Sequence, residues 1–181
     1  MFPYRLSWKG GFVNYGDWIA APRKPIWFEA NPRIVVREVT SKGHIFATLI
    51  FDEYVFSNSV DGIKSKSNNI QDLKILLAIL NSKFARFFHL NKSGNSSKDT
   101  FPKILLQDLR EFPFPKGRSN FEEISIIVDE ILTAKKGDPN ADTSELEKKC
   151  DHLVYKLYQL TYEEVKIIDP EFELTEQALV S

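Results

Sequence analysis

A chain of 181 residues, 43% of them hydrophobic, can bury a core of its own, as one domain or as one domain with a helical appendage. Its single cysteine, Cys150, excludes an internal disulfide framework and a multi-cysteine zinc site, and the three histidines (His44, His89, His152) follow no metalloenzyme spacing. The formal net charge of −1 conceals two opposite parts: residues 1–118 carry 18 Lys+Arg against 10 Asp+Glu, and residues 119–181 carry 6 against 15. A basic, aromatic-rich segment followed by acidic helices points to a nucleic-acid-facing module joined to a scaffold, with an ordinary solvated surface as the plainer alternative.

The first 30 residues are rich in aromatics, glycines and prolines (Tyr4, Trp8, Gly10-Gly11, Trp18, Pro22, Pro25, Trp27) and read as extended chain with tight turns. RIVVREVT, residues 33–40, is strongly β-branched and predicts a strand. After the turn Ser41-Lys42-Gly43, HIFATLIF (44–51) predicts its hairpin partner, and EYVFSNSVDGI (53–63) a third strand. The apolar period then changes. Leu73, Leu76, Leu77, Leu80, Phe84, Phe87 and Phe88 recur in steps of three and four, which predicts one amphipathic helix over 70–88. NKSGNSSKDT (91–100) is a polar loop, FPKILLQDL a short strand or turn followed by a short helix, and FPFPKG a stiff, non-helical exit. In the acidic part Ile124, Ile127, Val128, Ile131 and Leu132 predict a helix over 121–136. Asp142 with Glu145, and Thr161 with Glu164, have capping-box spacing for two more helices. The fold class expected is α+β: a mixed, mostly antiparallel sheet with a long helix packed on it, then a C-terminal helical hairpin and tail. Residues 1–118 would form the basic α+β domain and residues 119–181 an acidic helical spacer or docking segment.

The chemistry-bearing motifs of common enzymes are missing from this pattern. Gly10-Gly11 and Gly16 lack the spacing of phosphate-cradling loops. Asn31-Pro32-Arg33 is not the Pro-Pro-aromatic loop of a base-amine methyltransferase, and Asp52-Glu53-Tyr54-Val55 does not supply the acid and lysine of a metal-dependent nuclease. No catalytic residue, cofactor or metal ligand is expected in this chain. The residues suited to nucleic acid are basic and polar. Arg33 and Arg37 share one face of a strand with Val35, while Ile34 and Val36 share the other; a solvated face, with Glu38 pairing one arginine, is the plain alternative. Ser41, Lys42 and His44 stand at a hairpin tip, where a two-stranded ribbon can probe a groove. Lys92, Asn95, Ser96, Ser97, Lys98, Thr100 and Lys103 make a loop dense in donors for phosphate oxygens and base edges, or else a merely solvated loop. Cys150, His89 and His152 fall on or near inward helical faces and read as structural. The start, MFPYRLSWKGGF, has no signal-peptide core, and no apolar run approaches the ~20 residues of a membrane span, so a cytoplasmic setting is the expectation.

WIAAPRKPIWFEANPRIVVREVT (18–40), EYVFSNSV (53–60), LLAILNSKFARFF (76–88), SSKDTFPKILLQDLREFPFP (96–115) and DTSELEKKCDHLVYKLYQLTYEEVKII (142–168) together resemble the TaqI-like C-terminal specificity domain, a target recognition domain of type II (IIG-like) restriction–modification enzymes. The five blocks stand in the family's order over nearly the whole chain. The sequence is also similar to one half of a type I specificity subunit. The resemblance implies sequence-dependent recognition of double-stranded DNA by a non-catalytic fragment. It further implies methyltransferase or endonuclease domains upstream in the same chain, which would use S-adenosylmethionine and Mg²⁺, and the abrupt aromatic start fits a piece of such a protein. Arg33, Arg37, Thr40, Ser97, Lys98 and Lys103 match its motifs; Ser41, Lys42, His44, Lys92 and Asn95 are added from the residues themselves. A protein-interaction module docking on a catalytic methyltransferase domain is the alternative function.

Overall fold

The computed structural model describes residues 1–6, 10–18, 24–29, 31–92 and 102–180. After a 3-10 turn at Pro25–Trp27 the chain forms strands β1 (Arg33–Ser41), β2 (His44–Ile50) and β3 (Val60–Ile63), then helices α1 (Ile70–Asn81), α2 (Lys83–Lys92), α3 (Leu106–Arg110), α4 (Phe121–Gly137), α5 (Ser144–Leu157), α6 (Tyr162–Ile168) and α7 (Glu176–Val180). The strands form one antiparallel sheet in the order β2-β1-β3. This is the expected α+β class, with every strand pair antiparallel.

β1 lies at the centre because its β-branched residues are apolar on both faces. The register Ile34↔Leu49 and Val36↔Ala47 sets one face, and Val35↔Thr48 and Arg37↔Phe46 sets the other. The first face packs on α1. That helix buries Leu73, Ile75, Leu77, Ala78, Ile79 and Leu80 almost all round, since the sheet lies on one side of it and α4 on the other. Ile124, Ile127, Val128 and Ile131 of α4 and Cys150, Leu153, Val154 and Leu157 of α5 join the same apolar cluster as Ile34, Val36 and Ala47. The core thus runs across residue 118, where the surface charge changes sign. Cys150 is buried with Tyr4, whose hydroxyl lies 3.9 Å from its Sγ, and burial pushes its thiol up to about 12.

The third strand is shorter than the sequence predicts. β3 pairs with β1 only from Ile34 to Arg37, and Glu38 N–H adds one bond to the Ser59 carbonyl. Beyond that point residues 102–104 take over the edge of β1: Thr40 N–H bonds to the Pro102 carbonyl, and Ile104 N–H to the Glu38 carbonyl. Helix α5 is capped one residue later than expected. Its N-cap is Thr143, whose hydroxyl donates to Glu147, while Asp142 accepts the Ser144 N–H. The Thr161–Glu164 capping box forms as expected, and α7 folds where only a tail was expected, burying Leu179 against Tyr155 and Val165.

Arg33 corrects an expectation. It is 0% exposed, so it offers no surface to DNA. Its Nη1 donates to the carbonyls of Glu29 (2.6 Å) and Asn31 (3.0 Å), and its Nη2 to those of Phe28 (3.3 Å) and Asp52 (2.8 Å). One planar guanidinium thereby ties the segment before β1 to the chain leaving β2. Arg33→Ala leaves these carbonyls without their donor, and buried unsatisfied groups cost about 1–3 kcal/mol each. A urea titration will show a loss of about 3 kcal/mol or more, and Arg33→Lys will recover only part of it, because a single ammonium does not reproduce the planar fork.

Candidate nucleic-acid interface

The β1–β2 turn needs two left-handed residues in succession, Lys42 (φ 50°) and Gly43 (φ 80°), the pattern of a type I′ hairpin. Gly43 meets the requirement without strain. A Cβ there would also strike Leu90 of α2, at 2.5 Å from its Cγ. Lys42 holds the same region with a full side chain, which costs about 1 kcal/mol, and that side chain is exposed. Between Arg37 and Ser41 the register with β2 slips, which increases the local twist of the ribbon toward its tip.

Three residues expected at the DNA surface hold the hairpin instead. Arg33 is interior, as described. Arg37 stacks on Phe46 with its guanidinium 4.0 Å from the ring centroid, and it donates from Nε to the Val39 carbonyl and from Nη1 to the Met1 carbonyl. Its partner is not Glu38. Thr40 is 3% exposed and bonds the Pro102 carbonyl through both its N–H and its hydroxyl, so its donors are already engaged. Ser41, Lys42 and His44 are exposed at the tip, as expected. Lys103 stands on the strip beside β1 and pairs with Glu38 at 3.1 Å. Lys92 ends α2, pairs with Glu111 at 3.4 Å and lies over the Phe88 ring. Asn95, Ser97 and Lys98 lie outside the described residues. The two flanks of their loop are placed: one is the end of α2, and the other is Pro102, bonded to Thr40 one residue from the tip. The hairpin tip and the two flanks of that loop, some fifty residues apart in sequence, therefore meet at one end of the sheet.

The helix predicted over 70–88 is two helices, and the break decides this geometry. Ser82 leaves the helical region (ψ 160°) and turns its hydroxyl to the Ile79 carbonyl, while Ala85 N–H donates to the same hydroxyl oxygen. Asp151 of α5 accepts the Lys83 N–H at 2.9 Å. Two acceptors thus satisfy the first turn of α2 and let it start in a new direction. Just before the break, the Asn81 side chain accepts the Ala47 N–H and donates to the Ala47 carbonyl, closing the free edge of β2 as a strand would. In its new direction α2 lays Arg86 and Leu90 against the tip. Arg86 Nε donates to the Lys42 carbonyl at 3.0 Å. Sequence reasoning missed Arg86. Its signal, a basic residue three positions after Lys83 on a polar helix face, is common to most surface helices.

The field at the tip is positive. Desolvation of the His44 imidazole, together with the cations of Arg86 and Lys83, lowers its pKa, so at neutral pH His44 is an uncharged donor and acceptor suited to a base edge rather than a phosphate. Lys83 is itself held at 2.7 Å by Asp169. His89, 2% exposed, is kept neutral mainly by burial, and neither ring nitrogen has a partner among the described residues, which leaves it a structural filler beneath α3. Among the described residues no group of three or more His, Cys, Asp or Glu could hold a metal ion, and no helix is long and apolar enough to cross a membrane.

Asp151 has a further consequence. Burial pushes its carboxyl from an ordinary 3.8 up to about 7, against the opposing pull of the Lys83 N–H and ammonium. Between these values the unfolded chain releases a proton that the folded chain keeps, so this residue's contribution to stability falls as pH rises from about 4 to about 7 and is level above. Asp151→Asn keeps an acceptor for Lys83 N–H and cannot ionise. Urea unfolding at pH 5 and pH 8 will show the variant gaining on the parent at the higher pH.

The comparison with curated proteins returns no match. The family described as TaqI-like C-terminal specificity domain matches residues 1–114, from the N-terminal segment through the sheet, α1, α2 and the strip that closes on Thr40. This is the segment that builds the hairpin tip and both flanks of the polar loop, and the chain belongs to that family of specificity domains.

Proposed function

We propose that this chain recognises double-stranded DNA in a sequence-dependent way, as the target recognition domain of a restriction–modification methyltransferase or endonuclease, and that it carries no catalytic group itself. Family membership supports DNA recognition within a restriction–modification system. The observation that carries the reading is that the exposed tip, Ser41, Lys42 and His44, stands beside both flanks of the polar loop: α2 meets the turn through Arg86 and Leu90, and Pro102 bonds to Thr40. Lysines there capture phosphates, and this part of the affinity falls with salt. Ser41, the uncharged His44 and the loop donors Asn95, Ser97 and Lys98 read base edges. The catalytic domains, with their S-adenosylmethionine and Mg²⁺, belong to other parts of the same protein, in the cytoplasm. The acidic helices fix α2 through Asp151 and Asp169 and space the reading end from those domains.

The strained turn supplies the test. Lys42→Asn installs Asn-Gly, the pair that type I′ turns favour, and removes a cation. Thermal unfolding will show a gain of about 1 kcal/mol. Selection from a randomised duplex pool at low salt will return an enriched motif with the parent chain and weaker retention with the variant. A variant that is more stable and retains DNA as well as the parent would remove Lys42 from the interface. A parent chain that retains no DNA at low salt would overturn the reading and favour a docking module.

A further inference from the structure

Arg86 occupies a position that the sequence motifs do not mark. It lies on α2, whose first turn is capped from α5, and its Nε is fixed to the backbone of the turn at Lys42. That bond leaves the two terminal nitrogens of the guanidinium, a planar fork with four N–H donors, without a protein partner among the described residues. Among the described residues it also has no carboxylate paired with it. The neighbouring cation Lys83 is paired with Asp169, Lys103 with Glu38 and Lys92 with Glu111, whereas Arg86 and Lys42 are paired with no acid among the described residues. An arginine anchored through Nε has lost most of its rotamer freedom before any ligand arrives, and its remaining edge matches two oxygens of a phosphate. Beside the desolvation that chiefly lowers the pKa of His44, the cation of Arg86 lowers it further.

We infer that Arg86 binds a phosphate of the DNA backbone flanking the hairpin tip, so that α2 forms a second wall of the DNA-facing surface and sets the register in which Ser41 and His44 meet the bases. This rests on the DNA-recognition reading above. The phosphate contact carries no sequence information of its own; it fixes orientation, and the tip does the reading.

The test measures binding of the full 181-residue chain to a random-sequence duplex as a function of salt. Arg86→Gln, Arg86→Lys and, as a control on α4, Lys136→Gln are compared with the parent. One lost phosphate contact lowers the slope of log K against log[salt] by about 0.9. The expected result is that Arg86→Gln loses about this much slope and weakens binding to all sequences alike. Arg86→Lys keeps the slope, and Lys136→Gln behaves as the parent. If Arg86→Gln retains the parent's slope, Arg86 does not touch phosphate and the inference fails while DNA recognition stands. If Arg86→Gln and Arg86→Lys lose slope equally, the residue acts only by holding the turn through Nε, and the direct contact is overturned. If the parent itself does not bind the duplex, the recognition reading fails and takes this inference with it.

Discussion

The break at Ser82, capped from α5 by Asp151, is the constraint on which the arrangement depends. A continuous helix over 70–88 would carry its C-terminal half along the line of α1. Because Ser82 and Asp151 satisfy the first N–H groups of a second helix, α2 turns and meets the β-hairpin at its tip. Leu90 then fills the space that Gly43 leaves open, and Arg86 holds the Lys42 carbonyl. The partner that caps α2 belongs to the acidic segment. The two electrically opposite parts of the chain are therefore not independent: the acidic helices share the core with the sheet and fix the helix that supports the basic end.

Interior arginines and a threonine make the rest of the support. Arg33 draws four carbonyls together, Arg37 lies flat on Phe46, and Thr40 holds Pro102 at the edge of β1. Each is a polar side chain bonded within the protein, and together they separate the buried support from the exposed turn. The left-handed Lys42 fits this division. Strain in a turn persists where the surroundings fix it, and here the surroundings are Gly43, Leu90 and the bond from Arg86.

Much of this was legible in the sequence. Period-two alternation in RIVVREVT and HIFATLIF located the hairpin and correctly sorted Arg33, Val35 and Arg37 from Ile34 and Val36. The step of three and four located α1 and α4, Asp142 with Glu145 located the start of α5 to within a residue, and Thr161 with Glu164 located the start of α6. What escaped depends on partners remote in sequence. The stop at Ser82 requires Asp151, sixty-nine positions later. The short β3 reflects competition from residues 102–104 for the same edge. The burial of Arg33 depends on four carbonyls that only the folded chain assembles. The same holds for the candidate interface: the exposed Ser41, Lys42 and His44 could be named from the turn, whereas Arg86 becomes notable only once α2 lies beside it.

The most direct test of a single reading end is amide hydrogen exchange of the full chain with and without duplex DNA at low salt. The account predicts slowed exchange at residues 38–44, along α2 and at residues 102–104, with α4, α6 and α7 unchanged. Slowed exchange centred on the acidic helices, with the hairpin tip and α2 unaffected, would contradict it.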